Sequence, residues 1–404
     1  MKNCTPITEC LACGSADLIY TLDLGNQPLA NNFRELESTA GEPRYPLAIN
    51  RCQNCNHLQL THAVDPKLIY THYLYVSGIS GTYMQYMDWY AKFVREHFNR
   101  VVSNILDIGC NDGSQLNAFK KLGYATYGID PAENLYAISS ANHTVVCGFW
   151  DKESAAQLGT TFDIINIQNA FAHNPDPLSY LTLAKKYLKN DGKIFISTSQ
   201  ADMVINGEFD TIYHEHISYF NSTSMKVLAE RAGLFLVDIV KTPIHGTSYI
   251  FVLAKHRSNE HRIENLLGIE AYMGLTNSST YQTWVTGVDT LLATLKKQIK
   301  EYQNTGYKVI GYGAAAKGMT LLNASGIKLD VVLDDNQLKQ GLWCPGTNIP
   351  VIGSNYIETL QDTDKIVFVP LAWNFYTEIK KKIKAIRDNE SDIFLRYFPT
   401  ITTE

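Results

Sequence analysis

The stretch that most restricts what this chain can fold into is Val102 to Gln115, VSNILDIGCNDGSQ. Its apolar run, Ile105 to Ile108, predicts a buried strand. Gly109, Gly113 and the small polar residues between them predict a tight turn into a helix. Glycine there lets the backbone approach a ligand closely, with the N–H groups of the following helix pointing at it. About twenty residues on, a second strand, Ala125 to Ile129, ends in Asp130, placed to accept hydrogen bonds from a ribose diol. The glycine spacing alone suits a plain strand, turn and helix equally well. The acidic strand end adds the second, independent signal.

The pattern D-x-G-x-x-x-G followed by a strand-ending acid resembles the first two motifs of class I S-adenosylmethionine-dependent methyltransferases, and not the G-x-G-x-x-G of NAD enzymes. The resemblance implies that Asp107, Gly109, Asn111, Asp112 and Gly113 line the methionine end of that cofactor, and that Asp130 with Pro131 holds the ribose. It also places adenine contacts at Gly148, Phe149 and Trp150, after a third strand from Thr144 to Cys147. A fourth strand, Phe162 to Gln168, leads into Asn169, where the chain is expected to pass beneath the cofactor.

At 404 residues and 45% hydrophobic content, the chain is long enough for two or three domains. A net charge of −5 argues against nucleic acid as the main partner. No apolar run reaches the roughly eighteen residues of a membrane span. The opening MKNCTPITEC lacks the apolar core of a signal peptide, so a cytoplasmic protein with mostly reduced cysteines is expected.

Near the start stands Cys10-Leu-Ala-Cys13, followed by Cys52-Gln-Asn-Cys55. Two C-x-x-C knuckles can close a tetrahedral thiolate site, because each places two sulfurs on one turn and zinc favours four soft ligands. With four cysteines no open position is left for a substrate, so structural zinc is expected, in preference to unligated thiols or a redox pair. His57 and His62 read as surface or packing residues. Between the knuckles, residues 26–33 and 42–47 read as irregular chain with short strands, and the lobe lacks the dense basic run of a nucleic-acid module. Tyr73 and Tyr75 would point the same way on extended chain, presenting two hydroxyls to one pocket; the alternative is rings packed between domains.

The loop Ala170-Phe-Ala-His173-Asn-Pro-Asp176 is expected at the carboxyl end of the sheet, where open α/β sheets bind ligands. Further on, Tyr213-His214-Glu215-His216-Ile-Ser-Tyr219-Phe220 is the densest set of proton-transfer groups in the chain. Read as a strand, H-E-H offers too few ligands on one face for a metal. A structural network is the plainer alternative to a general acid/base site, which is favoured.

Together these segments, with His245-Gly-Thr-Ser, Gly311-Tyr-Gly-Ala-Ala-Ala-Lys-Gly and Trp373-Asn-Phe, resemble the sugar C-methyltransferases along nearly the whole chain. That family alkylates C-3 of nucleotide-linked 4-keto-6-deoxyhexoses for branched deoxysugars. Asp107 stands where Glu is commoner, and Tyr73-Leu-Tyr75 lacks a proline often found between the tyrosines. The resemblance implies S-adenosylmethionine and a dTDP- or GDP-linked keto sugar as ligands, and a monomer. A hydrogen α to a ketone needs a base titrating near neutrality and donors aimed at the developing enolate. His216 is the expected base, Glu215 an orienting group, and Tyr213, His173 and Tyr75 donors to the enolate or the sugar.

A helical stretch from Arg257 to Gln303 leads to a second α/β unit, with strands Lys308 to Tyr312, Leu329 to Leu333 and Lys365 to Pro370. Its turn, G-x-G-x-x-x-x-G, leaves an NAD site as the alternative to a substrate-side lobe. On the latter reading Lys317 meets the diphosphate, unless it is an exposed lysine at a helix start, and Trp373 and Asn374 line the sugar site. The expected fold is α/β throughout: a zinc-binding lobe over 1–70, a class I methyltransferase Rossmann-like domain over 71–256, and a second Rossmann-like lobe over 257–404. An O-methyltransferase, an NAD-dependent sugar oxidoreductase and a binding protein on an inactive methyltransferase fold are the competing readings.

Overall fold

A computed structural model describes residues 3–71, 73, 76–79, 81–198, 202–244 and 246–404. Two compact units interleave along the sequence. Met1–Tyr20, Asn50–Asp202 and Glu215–Thr276 form the first; Thr21–Ile49, Met203–His214 and Asn277–Glu404 form the second. Among the described residues, no helix is long and apolar enough to cross a membrane.

The first unit is built on seven strands: β1 (Asn104–Ile108), β2 (Ala125–Asp130), β3 (Thr144–Cys147), β4 (Phe162–Gln168), β5 (Leu188–Thr198), β6 (Phe235–Thr242) and β7 (Ser248–Ala254). They lie in the order β6-β7-β5-β4-β1-β2-β3. Strands β1 to β5 pair in parallel, and β7 runs antiparallel between β5 and β6. Every residue of β1 is buried, as a strand covered on both faces requires. On one face Ile105, Ile164 and Phe195 pack with Tyr90 and Val94 of helix α1 (Gly81–Glu96). On the other, Leu106, Ile165 and Ile196 pack with Leu181 and Ala184 of a helix spanning Pro177–Tyr187. The strand order reverses between β1 and β4, which opens a crevice at their carboxyl ends, the usual ligand position in such sheets.

The metal knuckles belong to this unit. Cys4–Pro6 pairs antiparallel with His62–Val64, and Leu58–Leu60 pairs antiparallel with Ser218–Tyr219. The chain between the knuckles is more regular than its composition suggests, with strands at Leu18–Gln27 and Tyr45–Cys52. Leu22 and Leu24 are buried on either side of exposed Asp23, a period-two signal that Gly25 and Asn26 interrupt before buried Gln27. Tyr213 to His216, read from sequence as strand, is a turn, with the strand confined to Ser218–Tyr219.

The second unit repeats the architecture with β8 (Lys308–Tyr312), β9 (Val331–Leu333), β10 (Val351–Ile352), β11 (Ile366–Pro370), β12 (Ile393–Arg396) and β13 (Thr402–Thr403). Their order is β10-β9-β8-β11-β12-β13, parallel as far as β12 and antiparallel at β13. Ile310, Phe368 and Phe394 pack with Ile379 and Ile383 to form its core. The helical stretch between the sheets is two helices: Glu260–Tyr272 in the first unit and Ser278–Asn304 in the second.

Gly109 closes β1 at φ 82°, and a Cβ built there would lie 2.6 Å from the Cβ of Ala170. Gly109→Ala therefore combines a left-handed backbone with a steric overlap. It is expected to lower unfolding stability by about 1–3 kcal/mol, read as a lower denaturant midpoint with an unchanged slope. An unaltered midpoint would mean that the turn relaxes without cost.

Candidate active site

The turn after β1 is built from three left-handed residues, Gly109, Asn111 and Gly113, at φ 82°, 50° and 82°. Asp130, at the end of β2, accepts the Asn111 N–H at 2.9 Å and the Ala132 N–H at 2.8 Å. The sequence-predicted ribose acid thus also pins the turn, and each oxygen keeps lone-pair capacity for a diol. Asp107 is buried and accepts from Asn166 Nδ2 at 2.6 Å, while Asn166 Oδ1 accepts from Tyr90 at 2.6 Å. Burial pushes the Asp107 carboxyl up to about 8. Asn169 follows β4 with φ 51°; its backbone N–H donates to the Ser197 carbonyl at 2.9 Å, and its Oδ1 is buried without a hydrogen-bond partner. Left-handed turns, carboxylates and an orphaned acceptor at one sheet edge fit a cationic cofactor carrying a ribose. Pro131 and Phe149 are half-buried. Trp150 is anchored by its indole N–H, which donates to the Tyr180 carbonyl at 3.2 Å.

A segment that the sequence reading valued only for its tyrosines proves to be a clamp. The N–H of Ser77 donates to Asn111 Oδ1 at 3.0 Å, and that of Gly78 to Asp112 Oδ2 at 2.9 Å. Asp112 also accepts from the Ser114 N–H at 3.0 Å and the Ser114 hydroxyl at 2.9 Å, at the start of the following helix. Upstream, Tyr73 exchanges backbone hydrogen bonds with the Asn134 amide at 3.1 and 2.9 Å, just past Asp130 and Pro131. The Tyr73 hydroxyl donates to Glu215 Oε2 at 2.6 Å, and the Tyr70 hydroxyl to the Glu215 carbonyl at 3.2 Å. One stretch of chain therefore holds the turn after β1, the end of β2 and the Glu215-His216 turn together. Tyr75 and His245 lie outside the described residues.

Four of the expected catalytic or substrate residues, Tyr73, His173, Glu215 and His216, meet in the first unit. The rings of His173 and His216 stack at 5.3 Å, and Tyr70 stacks on the other partner, His173, at 5.4 Å. The turn replaces the expected strand because Glu215 and His216 are both held inside, at 3% and 4% exposure, and alternation would turn one of them outward. Burial pushes the His173 imidazole down to about 4, so it is neutral at physiological pH, and its Nε2 has no hydrogen-bond partner. Tyr70 was missed from sequence because its contacts with His173 and Glu215 join segments about a hundred or more residues apart.

Cys10, Cys13, Cys52 and Cys55 place their sulfurs within 4.8 Å of one another, with Cys10–Cys55 and Cys13–Cys52 at 3.5 Å. A tetrahedral zinc with bonds of about 2.3 Å needs sulfurs roughly 3.8 Å apart, which fits. His57 is fully buried and outside that set.

Tyr213, Lys317, Trp373 and Asn374 fall in the second unit. Lys317 is not an exposed helix-start lysine. Its ammonium is 3.7 Å from Glu208 and 3.9 Å from Asp210, and lies over the Trp373 ring at 4.8 Å. Asp210 in turn accepts from Trp373 Nε1 and from the Tyr397 hydroxyl, both at 2.8 Å. Nothing local marks Glu208 and Asp210, because their pairing with Lys317 spans about a hundred residues. In the glycine turn of this unit, Asp334 accepts the Ala314 N–H at 2.6 Å and Lys339 donates to the Ala314 carbonyl at 2.7 Å.

Family models match three consecutive stretches: a zinc binding domain over residues 10–70, a methyltransferase domain over 81–239 and a C-methyltransferase C-terminal domain over 243–399. C-methyltransferase NovU of Streptomyces niveus is 30% identical over 399 residues, covering 95% of this chain and 94% of that one. A ubiquinone biosynthesis O-methyltransferase of Coxiella burnetii is 24% identical over 181 residues, covering 41% and 77%. Among solved structures, magnesium protoporphyrin IX methyltransferase ChlM from Synechocystis PCC 6803 with bound SAM has 14% identity and a TM-score of 0.33, covering 43% of this chain and 79% of that one. The plantazolicin methyltransferase BpumL in complex with SAH and a pentazolic analogue has 17% identity and a TM-score of 0.37, covering 44% and 87%. S-adenosylmethionine is the cofactor, and zinc the metal of the four cysteines.

The raised Asp107 carboxyl has a direct consequence for stability. Between the usual carboxylate value near 4 and about 8, the folded protein holds a proton that the unfolded chain has released, so stability falls as pH rises through that window. Asp107→Asn removes that term. Its stability advantage over the parent is expected to widen by about 1–3 kcal/mol between pH 5 and pH 8 in urea unfolding without cofactor. Parallel stability curves for the two proteins would place the proton elsewhere.

Proposed function

The chain belongs to the S-adenosylmethionine-dependent C-methyltransferase family, and we propose that it methylates C-3 of a nucleotide-linked 4-keto-6-deoxyhexose through an enolate formed by His216. The observation that carries this reading is the stacked pair His173–His216, tied through Glu215, Tyr73 and Tyr70 to the turn after β1. Bound S-adenosylmethionine supplies an electrophilic methyl group on a positively charged sulfur.

The protein has to turn a carbon into a nucleophile and hold it in line. His216 takes the C-3 proton, and the electron pair of that bond moves into the ketone to give the enolate. His173 stays uncharged because it is buried, so the positive charge that His216 acquires meets no second cation across the stack. Glu215 is fixed by the two tyrosines and orients the neighbouring imidazole or a sugar hydroxyl. Tyr73, His173 and the enolate-side donors Tyr213 and Tyr75 complete the proposed set. Asp107, Asn111, Asp112, Asp130 and Asn169 hold the cofactor end, with Gly109 and Gly113 giving backbone access and Pro131, Phe149 and Trp150 flanking the nucleoside. As the electron pair returns from the C-4 oxygen, C-3 would attack the methyl group in line, the pair of the sulfur–methyl bond going to sulfur, and alignment is the main contribution of these contacts to that step.

We also propose that residues 257–404 serve the nucleotide sugar, following zinc-binding and methyltransferase segments at 1–70 and 71–256. Lys317 already faces two carboxylates and the Trp373 indole N–H is donated to Asp210, so both enter the proposed sugar site already compensated, beside Asn374. In the glycine turn of this part, the Ala314 N–H meets the Asp334 carboxylate, an arrangement that opposes a phosphate at that point.

Incubation of candidate nucleotide-linked 4-keto-6-deoxyhexoses in heavy water tests the reading. C-3 deuteration and, with S-adenosylmethionine, a carbon-bound methyl group by proton NMR are expected. Methylation at oxygen without exchange at C-3 would replace it with O-methyl transfer. His216→Asn is expected to lose turnover by about two to four orders of magnitude while binding S-adenosylmethionine as the parent does. Unchanged turnover would remove His216 from the base role.

A further inference from the structure

The four cysteines lie far along the chain from Glu215 and His216, yet a short strand joins them. The second knuckle closes through the Asn56 N–H, which donates to the Cys52 carbonyl at 3.0 Å, and the Cys52 N–H, which donates to the His57 carbonyl at 2.9 Å. Leaving that turn, Leu58–Leu60 pairs with Ser218–Tyr219, Ser218 opposite Gln59 and Tyr219 opposite Leu58. The Leu60 N–H donates to the Ile217 carbonyl at 2.8 Å, and the Ile217 N–H to the Ala172 carbonyl at 2.8 Å. These bonds fall beside His216 on one segment and His173 on the other.

Side chains on the same strand reinforce the ladder. Gln59 is fully buried and clamps the first knuckle: the Leu11 N–H donates to its Oε1 at 2.8 Å, and its Nε2 donates to the Glu9 carbonyl at 2.9 Å. His57 Nε2 shares a hydrogen bond with Ser218 Oγ at 3.3 Å. The His57 ring packs on Phe220 at 4.7 Å, and Phe220 on Phe171 at 5.1 Å, the first residue of the short helix that ends in His173. Asn221 Nδ2 donates to the Asn56 carbonyl at 3.0 Å. Both knuckles are thus bonded to one strand, and that strand to both histidine-bearing segments. A buried ladder of this kind has little slack, because every donor lost inside it is left unpaired.

We propose that the four-cysteine zinc site sets the position of the His173–His216 pair, with His57 and Gln59 as the positioning residues that connect them. Neither touches the reacting atoms. The inference rests on the assignment of that pair to the reacting end of the site, but its first test needs no substrate and so fails or stands separately from that assignment.

Hydrogen–deuterium exchange is measured on the full-length protein with zinc and after chelation under reducing conditions. Zinc removal is expected to raise exchange of residues 170–174 and 215–220 about tenfold or more, while residues 104–115 keep their protection and S-adenosylmethionine affinity stays within about threefold. Retained protection at 170–174 and 215–220 would overturn the coupling. So would an equal loss across β1 to β5, which would make the metal a support for the whole unit. In the zinc-loaded protein, His57→Phe and Gln59→Leu are expected to lower kcat about tenfold or more with KM for S-adenosylmethionine and zinc content unchanged, and His57→Gln, which keeps a donor for Ser218, to recover part of the loss. Parent-like kcat in both His57→Phe and Gln59→Leu would also overturn it.

Discussion

The left-handed turn after β1 is the constraint on which the first unit depends. With Gly109, Asn111 and Gly113 all at positive φ, the chain reverses within a few residues and lines the turn with side-chain acceptors. Asn111 and Asp112 then spend those acceptors on the backbone N–H groups of Ser77 and Gly78, and Asp130 spends its own on Asn111. Among the described residues of 70–78, regular structure is limited to the ends of two short helical turns, and these side chains hold Ser77 and Gly78 in place. Tyr70 and Tyr73 in that segment then fix Glu215. The turn after β1 and Glu215 are consequently joined by one run of hydrogen bonds, and His216 is the next residue in the chain.

Burial gives the pair its electrical character. Two imidazoles stacked at 5.3 Å would repel if both were charged. Burial keeps His173 neutral, so in the proposed role a proton taken up by His216 would meet no second cation across the stack. Asp107 follows the same logic with opposite sign. An isolated buried carboxylate is costly, so it holds a proton until a cation or a donor compensates it, and Asn166 supplies one donor only. With the cofactor placed as proposed, its sulfonium and ammonium would bring the missing positive charge.

How much of this is legible in the sequence depends on whether the signal is local. Largely apolar runs ending in polar turn residues mark β1, β4, β8 and β11 to within a residue or two, because strands inside a covered sheet are filled mostly by apolar side chains; β3, only partly buried at the end of its sheet, is marked by Val145 and Val146. The cysteine knuckles are legible for a similar reason: four thiolates at that spacing have few other uses. The strand at Leu18–Gln27 is hidden by glycine and asparagine inside it, and the turn at Tyr213 to His216 by its resemblance to alternating strand. Contacts that join distant segments leave no local trace, since Tyr70 with His173, Asn111 with Ser77 and Lys317 with Glu208 are each chosen by the assembled sheet.

The two sheets of this chain share their central strand order, and each carries a glycine turn after its first strand, yet neither turn is shaped for a phosphate. At the second, the Ala314 N–H is taken by Asp334 and its carbonyl by Lys339, while Gly311 packs against Leu329, Val332 and Leu371. At the first, Asp112 and Asp130 take the available N–H groups of Ser114 and Asn111. A carboxylate where an anion would otherwise sit repels that anion and attracts a cation. A glycine-rich turn is therefore only half of a binding motif; the other half is the sign of the charge that already occupies its donors. In the first unit that sign is negative, with Asp112 and Asp130 at one turn, and it suits a positively charged ligand.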